Sequence, residues 1–259
     1  MSQSPTVIVH HDRQLLADDV ADRLVVAILD AQSSRGQADV VLTGGSMGSA
    51  VLVSLGRSPA KDTVDWRHLN LWWGDERFLP AGDPERNETQ AREALLDSVP
   101  LDPSRVHPMP ASDGPDGSDV DAAAARYAAE LAAAAPHGQG VPEFDVLILG
   151  LGPDAHVASL FPEHPALHER DASTIGVRGA PKPPPVRVSL TFPSLCAARD
   201  VWFVVAGPDK AGAVGLALSG AGELQAPAAG VIGLRSTTWL LDRDAAAHVP
   251  RQLIRLASH

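Results

Sequence analysis

Short apolar runs alternate with amphipathic stretches along most of this chain. Val7-Ile8-Val9 is the first run, and Leu15, Leu16, Val20, Leu24, Ile28 and Leu29 then recur at three- and four-residue steps. The first pattern suits a strand and the second one face of a helix. Asp39-Val40-Val41-Leu42-Thr43 predicts a strand that runs straight into Gly44-Gly45-Ser46, followed by a helix to about Leu55. Leu69-Asn70-Leu71-Trp72-Trp73 predicts another, ending at Gly74-Asp75-Glu76-Arg77. A Pro- and Asp-rich loop leads to a helix around Asn87–Asp97, and Asp119 caps an alanine-dense helix reaching about Ala135. Phe144–Leu149 reads as a strand buried on both faces, because its run of branched apolar side chains is continuous. The Pro181–Pro185 segment is stiff and extended. Val186–Leu190 and Val201–Ala206 predict strands, Asp209 to Leu218 a helix, and Thr238–Leu241 a last short strand before C-terminal helical turns.

Strands and helices alternating in this rhythm predict an α/β fold, a mostly parallel sheet with helices on both faces. The 259 residues, 44% of them hydrophobic, suffice for one large domain, alone or with a small extra lobe. No internal repeat, low-complexity tail or long linker marks a boundary, so residues 1–259 are read as a single domain. A net charge of −11 without any basic stripe argues against nucleic-acid binding, while leaving room for a small anion held by a few local cations. The lone Cys196 excludes an intramolecular disulfide, fits a reducing compartment and, in apolar surroundings, reads as a packed thiol. No signal-like N-terminal pattern is present, and the apolar runs fall short of the roughly 18 residues of a membrane span. A cytoplasmic location is expected.

Candidate chemistry gathers where predicted strands end. In open α/β sheets ligands bind beyond the carboxyl ends of strands, and there Gly150-Leu151-Gly152-Pro153 breaks the strand before Asp154 and His156. A His oriented by a carboxylate takes a proton from water near neutral pH; the plain alternative is a helix-start Asp and an ordinary loop His. Gly44, Gly45 and Ser46 offer backbone N–H groups, a helix N-terminus and a hydroxyl to an anion, against a reading in which Ser46 merely caps the helix. Arg77, beside Asp75 and Glu76, can clamp phosphate or carboxylate oxygens in a fork, or form a salt bridge within its own loop. Lys210 opposes the helix dipole at its position, which mildly favours an anion partner, although taken alone a solvated surface lysine is the more common outcome. Arg187 follows the proline segment, with Lys182 and Arg178 before it; these can close over a ligand or cover a sheet edge. His156, His164 and His168 suggest a metal site, but Pro162 and Pro165 preclude the helix that such spacing needs, so none is expected. Ser46 is not read as a nucleophile, since Gly-x-Ser-x-Gly is not met.

Taken together, the blocks Thr43-Gly44-Gly45-Ser46, Trp73-Gly74-Asp75-Glu76-Arg77-Phe78-Leu79-Pro80 with Asn87 downstream, Phe144 through Pro162, Pro181 through Thr191 and Gly207-Pro208-Asp209-Lys210 resemble the 6-phosphogluconolactonase family. The resemblance implies a Rossmann-like fold shared with glucosamine-6-phosphate deaminases. It also implies hydrolysis of 6-phospho-D-glucono-1,5-lactone to 6-phospho-D-gluconate, the second step of the oxidative pentose phosphate route, without metal or organic cofactor. On that basis His156 is the expected general base with Asp154 orienting it, the Gly44–Gly45 backbone or Arg77 stabilises the oxyanion, and Ser46, Arg187 and Lys210 hold the phosphate. Asp75 and Asn87 complete the expected substrate site. The expected partner is this phosphorylated sugar lactone, with no nucleic acid or membrane; a monomer is expected, a homodimer being the alternative. Three residues depart from the family pattern: Ala155 replaces a usual Gly, Met47-Gly48 replaces Thr-Pro, and Arg86 replaces a Ser. A Cβ at 155 strains the turn if that position needs a positive φ. Two rivals are a deaminase or isomerase on the same scaffold and a non-catalytic phosphosugar sensor. Arg77 in place of Tyr, and Val157-Ala158-Ser159-Leu160-Phe161-Pro162 after His156, argue against the first. The second predicts a helix-turn-helix for which there is no obvious room.

Overall fold

The computed structural model describes residues 5–136, 138–250 and 253–256. Its main sheet is built from β1 (Thr6–His10), β2 (Ala38–Leu42), β3 (Leu69–Trp73), β5 (Val146–Leu149), β8 (Asp200–Val205), β9 (Ser236–Asp242) and β10 (Ile254–Leu256). The strand order is β10-β1-β9-β8-β5-β2-β3, with every pairing parallel. All residues of β2, β3, β5 and β8 are buried, which explains why these strands are apolar apart from Asp39, Asn70 and Asp200. From β2 the chain steps outward to β3, then returns to lay β5 on the other side of β2 and continues to β8. The order therefore reverses between β2 and β5, the place where such sheets open a crevice.

Helix α1 (Arg13–Arg35) starts where Asp12 accepts hydrogen bonds from the Gln14 and Leu15 N–H groups. It buries Leu16, Val20, Leu24 and Ile28 and packs on α2 (Gly45–Arg57). The alanine-rich α4 (Val120–Ala134) is capped by Asp119 as expected. Its Tyr127, fully buried, donates through its hydroxyl to the His107 carbonyl and accepts from the Trp73 N–H. At the end of the sheet remote from the strand-end turns, Asp145 and Asp200 form ion pairs with Arg35 and Arg235. Cys196 is partly buried against the Gly230 carbonyl, and burial pushes its thiol up, in keeping with a packed rather than reactive sulfur.

A second, antiparallel sheet of β4 (Asp75–Arg77), β7 (Arg187–Leu190) and β6 (Thr174–Val177), in the order β4-β7-β6, packs beside α4. β4, β6 and β10 are not among the predicted strands; the charges of Asp75–Arg77 predict a loop at the end of β3 instead. Two helix boundaries also need correcting. The helix expected over Asn87–Asp97 is α3 (Asn87–Ala94): Leu95 leaves helical geometry at φ −156° and a 3-10 turn, Leu96–Ser98, follows. The helix expected from Asp209 opens as a 3-10 turn at Pro208–Lys210 and becomes α6 only at Ala211–Leu218. Around His164 and His168 the chain makes only the short 3-10 turn Pro165–His168, so the helical spacing of those side chains does not arise. Among the described residues no helix is long and apolar enough to cross a membrane.

Candidate active site

A cleft of about 200 Å³ opens at the carboxyl ends of β2, β5 and β8. Gly44, Gly45, Ser46, Asp75, Arg77, Asn87, His156, Arg187 and Lys210 all line it. Asp154, the remaining candidate, lies directly behind His156. The residues singled out in the sequence thus converge on one place, although they span positions 44 to 210.

The turn after β5 is tight: the Gly152 N–H donates to the His156 carbonyl and the Ala155 N–H to the Gly152 carbonyl. A Cβ on Gly152 would lie 2.0 Å from His156 Nδ1, so glycine lets the imidazole rest against the turn. Ala155 has φ +65° and is fully buried, so the position usually held by glycine does take the left-handed conformation, here with an alanine. His156 Nδ1 lies 2.6 Å from Asp154 Oδ1. With the carboxylate accepting the Nδ1 proton, Nε2 is left as the basic nitrogen. Burial alone would raise the Asp154 carboxyl, but the hydrogen bond and charge of His156, joined by the charge of Lys182, hold it well below the usual carboxylate range.

At the end of β2, Gly44 occupies the N-cap of α2 and Ser46 stands inside the first turn, exposed. Ser46 is therefore not the helix cap. A Cβ at Gly44 would fall 1.7 Å from Asn87 Oδ1, so the Asn87 amide packs directly on the glycine backbone. That amide donates to the Asp75 carbonyl at 2.8 Å. Asn87 thus joins α3 to the Gly44 turn, while its buried Oδ1 has no hydrogen-bond partner among the described residues.

β4 pairs with β7 so that Arg77 stands opposite Arg187. The Asp75 carboxylate is buried, accepts from Ser159 Oγ at 2.7 Å and lies 3.9 Å from Arg187 Nη1. The Arg77 guanidinium donates to the Glu85 carbonyl rather than to a carboxylate of its own loop. Arg187, with 7% side-chain exposure, donates to the carbonyls of Lys182, Pro183 and Pro184 and lies 5.6 Å over the Phe161 ring. Burial lowers its pKa, with Asp75 opposing. Lys210, 23% exposed, pairs with Asp209 at 3.1 Å. Arg178 belongs elsewhere, bonded to Asp121. Lys182, one of the cations expected either to close over a ligand or to cover a sheet edge, is brought 3.7 Å from Asp154.

Glu76 and Arg86 were also missed. Both are 99% buried. Glu76 accepts from the Arg77, Asn87 and Glu88 N–H groups, capping α3 from a distant strand, since Arg86 at the N-cap makes no such bond. Arg86 faces Glu76 at 3.7 Å and donates to the Leu79, Met109 and Pro110 carbonyls. The departure at 86 therefore supplies a loop-binding cation. Burial pushes the Glu76 carboxyl up to about 7, against the pull of Arg86 and the three N–H donors. A carboxyl raised in the folded state retains its proton there after the unfolded chain has lost it. Stability should consequently fall as pH rises from 4.5 to about 7, by on the order of 3 kcal/mol from this group. Glu76→Gln removes that contribution. Denaturant unfolding of both proteins at the two ends of the window checks it, and a stability difference that does not change with pH would sink the idea.

Three cations, a helix N-terminus and a His–carboxylate pair thus meet at one cleft in an acidic protein, with Lys182 beside the carboxylate, an arrangement suited to a small phosphorylated ligand and to base-assisted attack by water. Among the described residues no group of three or more His, Cys, Asp or Glu side chains is placed to hold a metal ion. The family model described as glucosamine-6-phosphate isomerases/6-phosphogluconolactonase matches residues 11–239. The chain belongs to this family. Within it, a 6-phosphogluconolactonase of Streptomyces coelicolor is 62% identical, covering 100% of both chains. One from Mycobacterium tuberculosis is 47% identical over 95% of this chain and 99% of its own. The solved structure of 6-phosphogluconolactonase from Trypanosoma brucei, 28% identical, covers 96% of this chain and 100% of its own with a TM-score of 0.83.

Proposed function

We propose that this chain hydrolyses 6-phospho-D-glucono-1,5-lactone to 6-phospho-D-gluconate, the second step of the oxidative pentose phosphate route. Full-length identity of 62% to a 6-phosphogluconolactonase supports the substrate, and the 2.6 Å His156–Asp154 pair in a cation-lined cleft supports the chemistry. A δ-lactone is an activated ester, so one well-aimed hydroxide suffices without a covalent intermediate. His156 Nε2 takes a proton from water as its oxygen attacks the lactone carbonyl, while Asp154 holds the opposite ring N–H. The oxyanion is met by the Gly44–Gly45 N–H groups or by Arg77. On collapse the ring C–O bond breaks and the leaving oxygen recovers the proton from the imidazolium. Ser46, Arg187 and Lys210 hold the phosphate and so fix the carbonyl over the dyad.

The deciding measurement is a coupled assay following the loss of freshly generated lactone, corrected for spontaneous hydrolysis. Failure to exceed the spontaneous rate would overturn the reading, and ammonia release from glucosamine 6-phosphate would favour the deaminase instead. In the same assay, Lys210→Ala should raise KM by about 10-fold or more, the worth of one hydrogen bond to a charged group, with kcat little changed. An unmoved KM would remove Lys210 from the phosphate site.

A further inference from the structure

We propose that Lys182 is a positioning residue for the reaction: its ammonium shares an Asp154 carboxylate oxygen with the imidazole and holds that carboxylate aimed at His156. This rests on the reading of His156 as the general base. Lys182 Nζ lies 3.7 Å from Asp154 Oδ1, the same oxygen that binds His156 Nδ1 at 2.6 Å. One carboxylate oxygen is therefore shared between the imidazole and an ammonium.

The mount of Lys182 is rigid for reasons independent of its side chain. Pro181, Pro183, Pro184 and Pro185 restrict the backbone on both sides of it. The Ala180 N–H donates to the Pro185 carbonyl, closing the segment at its base. The Arg187 guanidinium donates to the Lys182, Pro183 and Pro184 carbonyls and fastens the segment to the cleft wall. A side-chain substitution at 182 leaves all of these bonds in place. At 40% side-chain exposure, Lys182 also leaves no buried hole when shortened.

The charges around it give the position its cost and its use. Burial lowers the Lys182 pKa, and Lys210 and Arg187 lower it further; Asp154 is the group that opposes them. A lysine placed among like charges and turned toward one carboxylate acts on that carboxylate. Around His156 itself stand Asp154 in its own turn, Lys182 on the proline segment, Lys210 after β8, and Arg187, Asp75 and Arg77 on the small sheet. His164 lies beyond Phe161, the two rings 6.4 Å apart, with Nε2 bonded to the Arg178 carbonyl. Removing the Lys182 charge leaves Asp154 a stronger partner for imidazolium, which should move the acidic limb of kcat/KM to higher pH. For a partly exposed pair the change is about half a pH unit.

Two variants test this. Lys182→Gln removes the charge and Lys182→Arg keeps it. The His156 ring is titrated by NMR in the free protein, and the pH dependence of kcat/KM is measured alongside. In Lys182→Gln both the ring midpoint and the acidic limb of kcat/KM should move up by about half a unit, with KM on the alkaline plateau unchanged; Lys182→Arg should restore both. An unmoved ring midpoint overturns the proposal. So does a raised KM with a stationary limb, which would make Lys182 a substrate ligand. A shifted ring midpoint with no matching shift in the rate profile would instead overturn His156 as the base, so the two failures are distinguishable.

Discussion

His156→Ala should lower kcat by about 10²–10⁴-fold, the usual worth of a positioned general base, while KM for the lactone stays near the wild-type value. The expectation follows from where the ring sits. Nδ1 is occupied by Asp154, and the ring rests on the Gly152 turn at 4.4 Å from Phe161, so its orientation is set before any substrate arrives. None of the groups assigned to phosphate depends on the imidazole. Ser46 is carried by α2, Arg187 by β7 and Lys210 by the turn after β8. Truncation should thus remove proton transfer and spare affinity, the pattern of an interaction made in the transition state. Steady-state kinetics on the fresh lactone, with calorimetric binding of 6-phosphogluconate, separate the two. Full turnover in the variant would end the general-base assignment; lost product binding with normal kcat would move His156 into the phosphate site.

The dyad was legible because its surroundings obey simple rules. A parallel strand buried on both faces is predominantly apolar, and Gly and Pro stop it, so the wholly apolar β5 and its turn stand out from their neighbours. The same logic exposed the ends of β2 and β8. Ala155 was legible as a question rather than an answer: sequence comparison marked the position, and only φ +65° showed that alanine accepts the left-handed turn there. β4 and β6 escaped because strands of three and four residues carry too little periodicity, and Asp75-Glu76-Arg77 has the polarity of a loop. Glu76 and Arg86 escaped because charged residues are ordinarily exposed, whereas these two are buried against each other and against backbone groups. The pairing of Lys182 with Asp154 escaped because the two residues lie far apart in sequence. Each miss is a contact between distant segments, which local pattern does not encode.

Arg187 is where those distant segments meet, and Arg187→Ala should cost the protein twice. Its guanidinium ties the carbonyls of Lys182, Pro183 and Pro184 to the cleft wall and provides the nearest cation to the buried Asp75. Alanine leaves those carbonyls to water and Asp75 without its counter-charge. Breaking a fully buried pair costs about 3–5 kcal/mol; at 3.9 Å and beside an open cleft the loss here should be smaller, about 2–3 kcal/mol. The functional loss is separate. Removing one charged donor to phosphate should raise KM by about 10–150-fold, and loosening the proline segment should displace Lys182 from Asp154, lowering kcat as well. Arg187→Lys should not rescue either effect, because a single ammonium cannot span three carbonyls and still face a phosphate in a planar fork. Denaturant unfolding and steady-state kinetics on the three proteins read both losses. A lysine variant with wild-type KM would show that Arg187 serves only as a point charge, and an alanine variant of unchanged stability would show that water holds the proline segment as well as the guanidinium does.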